Sequence, residues 1–298
     1  MSEYQKYLDP KTLTKISKLD LLARLVVEGY ISGLHRSPYH GFSVEFADRR
    51  EYVPGDDIKH VDWRVYAKSD RYYIKQYEEE TNLRCTILLD VSESMRYGSG
   101  PVTKQDYACY IAASLTYLLL QQQDSVGLAT FDNQVRKFIP PKSSPAHLRL
   151  LLHEMNQVKP ERKTNMDLIF HDVAERVSRR GMIVIISDLF DDVEKILMGL
   201  RHFRHKKHEV VVFHVLDEYE LTFPFDDTTL FEGLEETGQV VTEPRSLRDT
   251  YVEEVKDFVT RLKKGCRQHR IDYVQMSTDQ KLDVALSAYL AARAARGK

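Results

Sequence analysis

From Cys85 to Met276 short apolar runs alternate with longer segments of helical periodicity, and this alternation constrains the fold more than any other feature of the chain. Cys85-Thr86-Ile87-Leu88-Leu89 is apolar at nearly every position, which suits a strand buried on both faces. Lys104–Gln122 then predicts a helix, Ser125–Phe131 and Val135–Ile139 strands, and Pro145–Asn156 and Asn165–Ser178 helices. Met182–Ile186 predicts a strand, Val193–Phe203 a helix and Glu209–Leu216 a strand. Such alternation predicts an α/β fold: a doubly wound, mostly parallel, Rossmann-like sheet with helices on both faces. Leu230–Thr242, with Gly233 and Gly238, predicts a hairpin; Ser246–His269 a long helix; Ile271–Met276 a last strand; and Lys281–Arg296 an alanine-rich closing helix.

The segment ahead of this alternation has a different texture. Asp9-Pro10 predicts a helix start, and Leu13, Ile16, Leu19, Leu22, Leu25 and Val26 recur at helical spacing up to Tyr30. From Tyr39 to Glu80 the chain turns to short aromatic pieces punctuated by Gly41-Phe42 and Pro54-Gly55-Asp56-Asp57, with period-two patterning near Tyr73–Tyr77. The expected organisation is an N-terminal helix within residues 1–38, a small β-rich module at 39–80, and a large α/β domain with C-terminal helices at 81–298.

Composition narrows the function classes. The 298 residues are 42% apolar, enough for a large core. Lys plus Arg number 43 against 45 Asp plus Glu, so there is no broad positive field for a nucleic-acid backbone. Cys85, Cys109 and Cys266 are far apart and lack C-x-x-C spacing, as expected of reduced thiols. Residues 1–20 lack the apolar stretch of a signal peptide, and no run approaches the roughly 20 apolar residues that cross a bilayer. The expectation is a cytoplasmic protein with no membrane span.

In an open α/β sheet ligands sit beyond the carboxyl ends of the strands. Asp90-Val91-Ser92-Glu93-Ser94 follows the first buried strand, just ahead of Gly98-Ser99-Gly100. Thr164 opens a helix after a polar loop, and Ser187-Asp188 ends the strand Met182–Ile186. Asp90, Ser92, Ser94, Thr164 and Asp188 thus offer two carboxylates and three hydroxyls. Oxygen donors at this modest charge suit a small hard cation, Mg²⁺ or Mn²⁺. On its own Asp-x-Ser-x-Ser also suits a serine-rich turn that caps the next helix.

These residues resemble the metal-ion-dependent adhesion site of von Willebrand factor A domains, over roughly Leu83 to Met276. The resemblance implies that Ser92, Ser94 and Thr164 touch the ion, that Asp90 and Asp188 act directly or through water, and that one position stays open for an acidic side chain of a partner. Asp191 is near enough in sequence to Asp188 to tune such an ion indirectly.

The module before it carries Phe46, Arg50-Glu51-Tyr52, Gly55-Asp56-Asp57, Val61-Asp62-Trp63, Ala67-Lys68 and Tyr77-Glu78. This set resembles the signature of a bacterial family known as domain of unknown function number fifty-eight, in which a β-rich element is joined to a von Willebrand A-like domain. Lys59 and Lys68 stand where that signature has arginines. The resemblance implies association with a MoxR-type AAA ATPase. From residue type alone, Pro54–Asp57 reads as a tight turn, Trp63 as a core anchor and Asp62 as the partner of a nearby base.

Other clusters read as structural. His202, His205 and His208 with Arg204, Lys206 and Lys207 suit a solvated helix end better than a zinc site, with His208 at the next strand's start. Asp191-Asp192 suits a helix N-cap and Asp226-Asp227 a loop. Nucleotide-loop, dinucleotide and nucleophile-elbow motifs are absent. The leading expectation is a metal-dependent protein-binding module, not an enzyme, acting as adaptor or partner of a MoxR-type AAA ATPase in assembly or maturation of another complex. The alternatives are a metal-dependent phosphoester hydrolase, with Asp90 or Ser92 attacking, and a scaffold whose site holds no ion.

Overall fold

The computed structural model describes residues 44–53, 61–63, 65–66, 71–79, 83–156, 166–232, 238–280 and single positions up to Tyr289. The expected opening helix, the Gly55-Asp56-Asp57 turn, Lys59, Ala67-Lys68 and Thr164 lie outside the described residues. The chain divides into two compact units, one formed by residues 28–82 and the other containing Leu83–Lys298.

In the smaller unit, strands β1 (Val44–Glu51) and β2 (Tyr73–Glu79) pair antiparallel, with a bulge between Phe46 and Asp48. The period-two pattern near Tyr73 is therefore a strand. Trp63 is not a core anchor: 55% of its surface is exposed. Its ring meets only the edge of Tyr66 among the described aromatics, while Tyr66 stacks on Tyr72 at 4.4 Å. Asp62 is the buried residue of the pair, with Val65 N–H reaching its carboxylate at 3.4 Å.

The larger unit is built on β3 (Arg84–Asp90), α1 (Lys104–Gln121), β4 (Ser125–Phe131), β5 (Val135–Lys142), α2 (Pro145–Asn156), α3 (Met166–Arg176), β6 (Met182–Ser187), α4 (Val193–His205) and β7 (Glu209–Leu216). There follow α5 (Glu218–Thr222), β8 (Thr229–Glu232), β9 (Gln239–Thr242), α6 (Pro244–Gln268) and β10 (Asp272–Ser277). Leu282, Ala285, Leu286 and Tyr289, in the expected closing helix, are helical. Six strands make one sheet in the order β10-β7-β6-β3-β4-β5, parallel except for β5. The fold is thus the expected α/β class with a mostly parallel central sheet.

Residue type explains the placement. β3, β4, β6 and β7 are buried almost throughout, as strands covered on both faces must be. β5 runs beyond the expected Ile139 through Pro140-Pro141, which an edge strand tolerates because no neighbour asks for the missing N–H. Leu88, Ile183, Ile185, Val210 and Val212 share one core with Phe170 of α3, Phe203 of α4 and Cys266 of α6. Their strand neighbours point the other way, where α1 packs on the sheet.

Helices and turns close with local devices. Thr103 caps α1 by accepting from Asp106 N–H, and Asp192 caps α4 by accepting from Glu194 and Lys195 N–H. His208 lies just ahead of β7, buried, its Nδ1 accepting from Gly181 N–H, so it belongs to the sheet and not to a histidine cluster on α4. The short helix α5 is an element the periodicity does not reveal; one turn is too brief to show a repeat.

A Cβ added at Gly181 would lie 2.2 Å from the Arg84 carbonyl oxygen, where β6 enters the sheet beside β3. Gly181→Ala should therefore cost about 1–3 kcal/mol, read from the urea midpoint; an unchanged midpoint contradicts the close approach.

Asp124, between α1 and β4, accepts from Leu83 N–H, and burial pushes its carboxyl up to about 7. The folded state keeps the proton up to that pH, whereas the unfolded chain releases it near 3.8. Its contribution to stability is thus fully present at low pH and is lost as pH rises through about 7. Asp124→Asn should remove this part of the pH dependence. Urea unfolding at about pH 4.5 and about pH 7.5 should show wild type losing more stability than the variant over that window.

Candidate functional site

The site forms where the strand order reverses. From β3 the chain moves through β4 to β5 on one side, then crosses to β6 on the other, so the carboxyl ends of β3 and β6 flank a topological switch point. Asp90 ends β3 and Ser187 ends β6. The Ser187 hydroxyl donates to Asp90 Oδ2 at 2.5 Å, and Ser92 N–H donates to Asp90 Oδ1 at 2.9 Å. Burial, with the charge of Asp188 adding to it, still pushes the Asp90 carboxyl up to about 7 against those hydrogen bonds. Two carboxyl groups therefore share a nearly dry corner, Asp90 at 0% and Asp188 at 1% exposure.

The loop after β3 presents hydroxyls. Ser92 stands at the N-cap of a single 3-10 turn, Glu93–Arg96, but its side chain makes no capping bond. Ser92 Oγ instead lies 3.0 Å from Ser94 Oγ. Ser92 is buried and Ser94 half-buried, so the pair reaches from the corner toward solvent. These hydroxyls do not serve as helix caps, the other use that a serine-rich turn suggests.

Asp188 is held from several sides. Its carbonyl accepts from His214 Nε2 at 2.8 Å, which puts the imidazole proton on that nitrogen and leaves Nδ1 to accept from the Tyr273 hydroxyl at 2.5 Å. Burial depresses His214 to about 4, so it is neutral. Leu189, the next residue, is buried with φ of 53°, a left-handed backbone that lets its N–H turn back to Ser187 Oγ at 2.8 Å.

Lys104 brings the positive charge. This first residue of α1 is wholly buried, and its ammonium lies 2.8 Å from Asp188 Oδ2 and 2.6 Å from Glu220 Oε1. Burial favours the neutral amine, but the two carboxylates prevail and raise its pKa, so it stays charged. The half-exposed Phe190 ring covers it, with its centre 4.9 Å from Nζ. Glu220 is fixed by a capping box in α5: Asp217 N–H donates to Glu220 Oε2 while Tyr219 N–H donates to Asp217 Oδ1. Asp217 Oδ2 accepts from Ser99 N–H and from the Thr278 hydroxyl, tying the small-residue loop after β3 to the end of β10.

Of the expected site residues, Asp90, Ser92, Ser94 and Asp188 come together, and Thr164 lies outside the described residues. Asp191 spends its carboxylate on backbone, accepting from Met166 N–H at the start of α3 and from Asp192 N–H. Lys104, Glu220, His214 and Asp217 were not legible as site residues. One signal existed: a lysine in the first turn of a helix opposes the helix dipole and needs a compensating reason. Among the described residues no group of three or more His, Cys, Asp or Glu side chains is arranged to hold an ion; the oxygens gathered at this corner come from carboxylates and hydroxyls together.

The Ser187 hydroxyl serves both Asp90 and Leu189 N–H. Ser187→Ala should cost about 1–3 kcal/mol by urea unfolding, since it strips a partner from each of two buried groups. A cost near zero would show that the corner does not depend on this bond.

Known proteins are similar to parts of this chain. The family described as "Protein of unknown function DUF58" matches residues 48–260. An uncharacterized protein of Mycobacterium bovis is 26% identical over 219 residues, 72% of this chain and 68% of that protein, and uncharacterized proteins of two Mycobacterium tuberculosis strains match equally. Among solved structures, a conserved hypothetical protein, BatB from Bacteroides thetaiotaomicron, aligns with a TM-score of 0.48 and 16% identity, covering 72% of this chain and 99% of that one. An aerotolerance-related membrane protein from Bacteroides fragilis aligns with a TM-score of 0.45 at the same identity and coverage. Among the described residues no helix is long and apolar enough to cross a membrane.

Proposed function

The chain belongs to the DUF58 family of proteins of unknown function, and from that footing we propose that it is a protein-binding module dependent on a divalent cation, Mg²⁺ or Mn²⁺. The ion would be held by Ser92, Ser94, Asp90 and Asp188, with Thr164 as a further donor. The observation that carries this reading is the uncapped pair of serine hydroxyls, 3.0 Å apart, beside two buried carboxyl groups. Neighbouring oxygens of an octahedron with metal–oxygen bonds of ~2.1 Å lie about 3.0 Å apart, so the donor set fits a small hard cation. The charge balance also fits: the repulsion between Asp90 and Asp188 is what a further cation would relieve.

When bound, the ion would supply a Lewis-acidic position for an Asp or Glu of a partner protein. The residues of the chain do the rest. Ser92 and Ser94 donate oxygen without charge, Ser187 and Ser92 N–H orient Asp90, and His214 holds the Asp188 backbone in place. Few charged ligands leave such an ion electron-poor, as an acceptor of an external carboxylate requires. The imidazole that touches Asp188 has both nitrogens engaged within the fold, one by the Asp188 carbonyl and one by the Tyr273 hydroxyl, which suits a positioning role.

On family resemblance we assign a MoxR-type AAA ATPase as partner, the two acting in assembly or maturation of another complex. A cytoplasmic location accords with Cys85, Cys109 and Cys266 being buried as thiols and not joined in disulfides.

Thermal unfolding tests the ion. Mg²⁺ or Mn²⁺ at about a hundred times Kd should raise the wild-type midpoint by about 5–10 °C relative to EDTA, and Ser92→Ala/Ser94→Ala should abolish the rise. A wild-type midpoint indifferent to both ions sinks the proposal of a resident cation.

A further inference from the structure

Lys104 is the charged group at this corner whose role the cation reading leaves open. Its ammonium is wholly buried and bridges Asp188, at the end of β6, to Glu220, on α5. Burying an ammonium is costly unless carboxylates surround it, so the loss of either carboxylate would leave a buried charge poorly compensated. It engages Asp188 Oδ2, while Phe190 N–H reaches Oδ1 only at 3.4 Å. Glu220 does not drift away from it, because Asp217 N–H grips its second oxygen.

Resting on the cation reading above, we propose that Lys104 is a built-in counter-cation that competes with the divalent ion for Asp188 and so sets how tightly the ion is held. Two features of the site make it a competitor and not merely a distant charge. It contacts the same carboxylate that would face the ion, and Asp188 lies close enough to Asp90 for their charges to be coupled. The Phe190 ring above the ammonium shields it from water, so its hold on Asp188 is not screened away. With Asp188 partly neutralised in this way, Ser92, Ser94 and Asp90 would hold an ion loosely and leave its charge less satisfied. Lys104 thereby favours an outside carboxylate as the completing ligand. The short helix α5, through Glu220, determines how much of the ammonium remains for Asp188.

The test is Mn²⁺ affinity, measured by titration calorimetry on the full chain. The double variant Lys104→Met/Glu220→Gln removes one positive and one negative charge, so the local net charge stays that of wild type while Asp188 is released. It should bind Mn²⁺ about tenfold or more tightly than wild type. Glu220→Gln alone leaves the ammonium to Asp188 and should weaken Mn²⁺ binding severalfold; this variant keeps the buried pair and carries the test if the double variant does not fold. Wild-type binding with no gain in the double variant, or with no loss in Glu220→Gln, overturns the role of Lys104 and leaves the cation reading intact. Binding by the double variant alone supports the competition and overturns the resident ion, since Lys104 then takes its place in wild type. Failure of wild type and both variants to bind Mn²⁺ at millimolar concentration overturns both ideas.

Discussion

Two carboxyl groups buried on adjacent strand ends, Asp90 and Asp188, are the constraint around which this end of the sheet is built. Carboxylates out of water require hydrogen bonds or opposite charge, and each neighbouring loop supplies one or the other. The loop after β3 returns Ser92 N–H to Asp90, the end of β6 supplies the Ser187 hydroxyl, and α1 supplies the Lys104 ammonium. The left-handed Leu189 is the strained residue that makes this closure possible: its N–H satisfies the oxygen that in turn satisfies Asp90.

The compensation spreads outward in layers. Lys104 needs more than Asp188, and Glu220 answers from α5; Glu220 needs fixing, and Asp217 answers with its backbone N–H. Asp217 in turn collects Ser99 N–H and the Thr278 hydroxyl, so the ends of β3, β6, β7 and β10 are joined in one polar network above an apolar core. Such a network is high in stakes: satisfied, it rigidifies, and the loss of one member strands another. The sheet below it is ordinary in its physics, with aliphatic strands between helical layers and three phenylalanines, Phe131, Phe170 and Phe203, in edge or tilted contact.

The family match extends from residue 48 to residue 260 and therefore takes in parts of both compact units. The smaller unit keeps its tryptophan at the surface. Around it Tyr66, Tyr72 and Tyr52 form a chain of ring contacts beside the β1–β2 pair. Residue type alone pointed to a buried Trp63 because large aromatics are mostly buried; Asp62 took the interior position instead.

What the sequence by itself determined is the local part. Periodicity is a property of neighbours along the chain, so Ser125–Phe131, Pro145–Asn156 and Glu209–Leu216 are elements with the same bounds in the sequence and in the fold. The strand-end rule located Asp90, Ser92, Ser94 and Asp188, since each follows or ends an apolar run. Only the tertiary structure decided which groups meet them. Lys104 lies 84 positions from Asp188 and 116 from Glu220, and no pattern within either segment encodes that distance. The strand order placed α1 beside β6 and β7, the capping box of α5 aimed Glu220, and burial turned an ordinary helix-start lysine into the central charge of the site. Pairing across such separations depends on how layers pack, and the energy that selects it belongs to the assembled core and its buried charges.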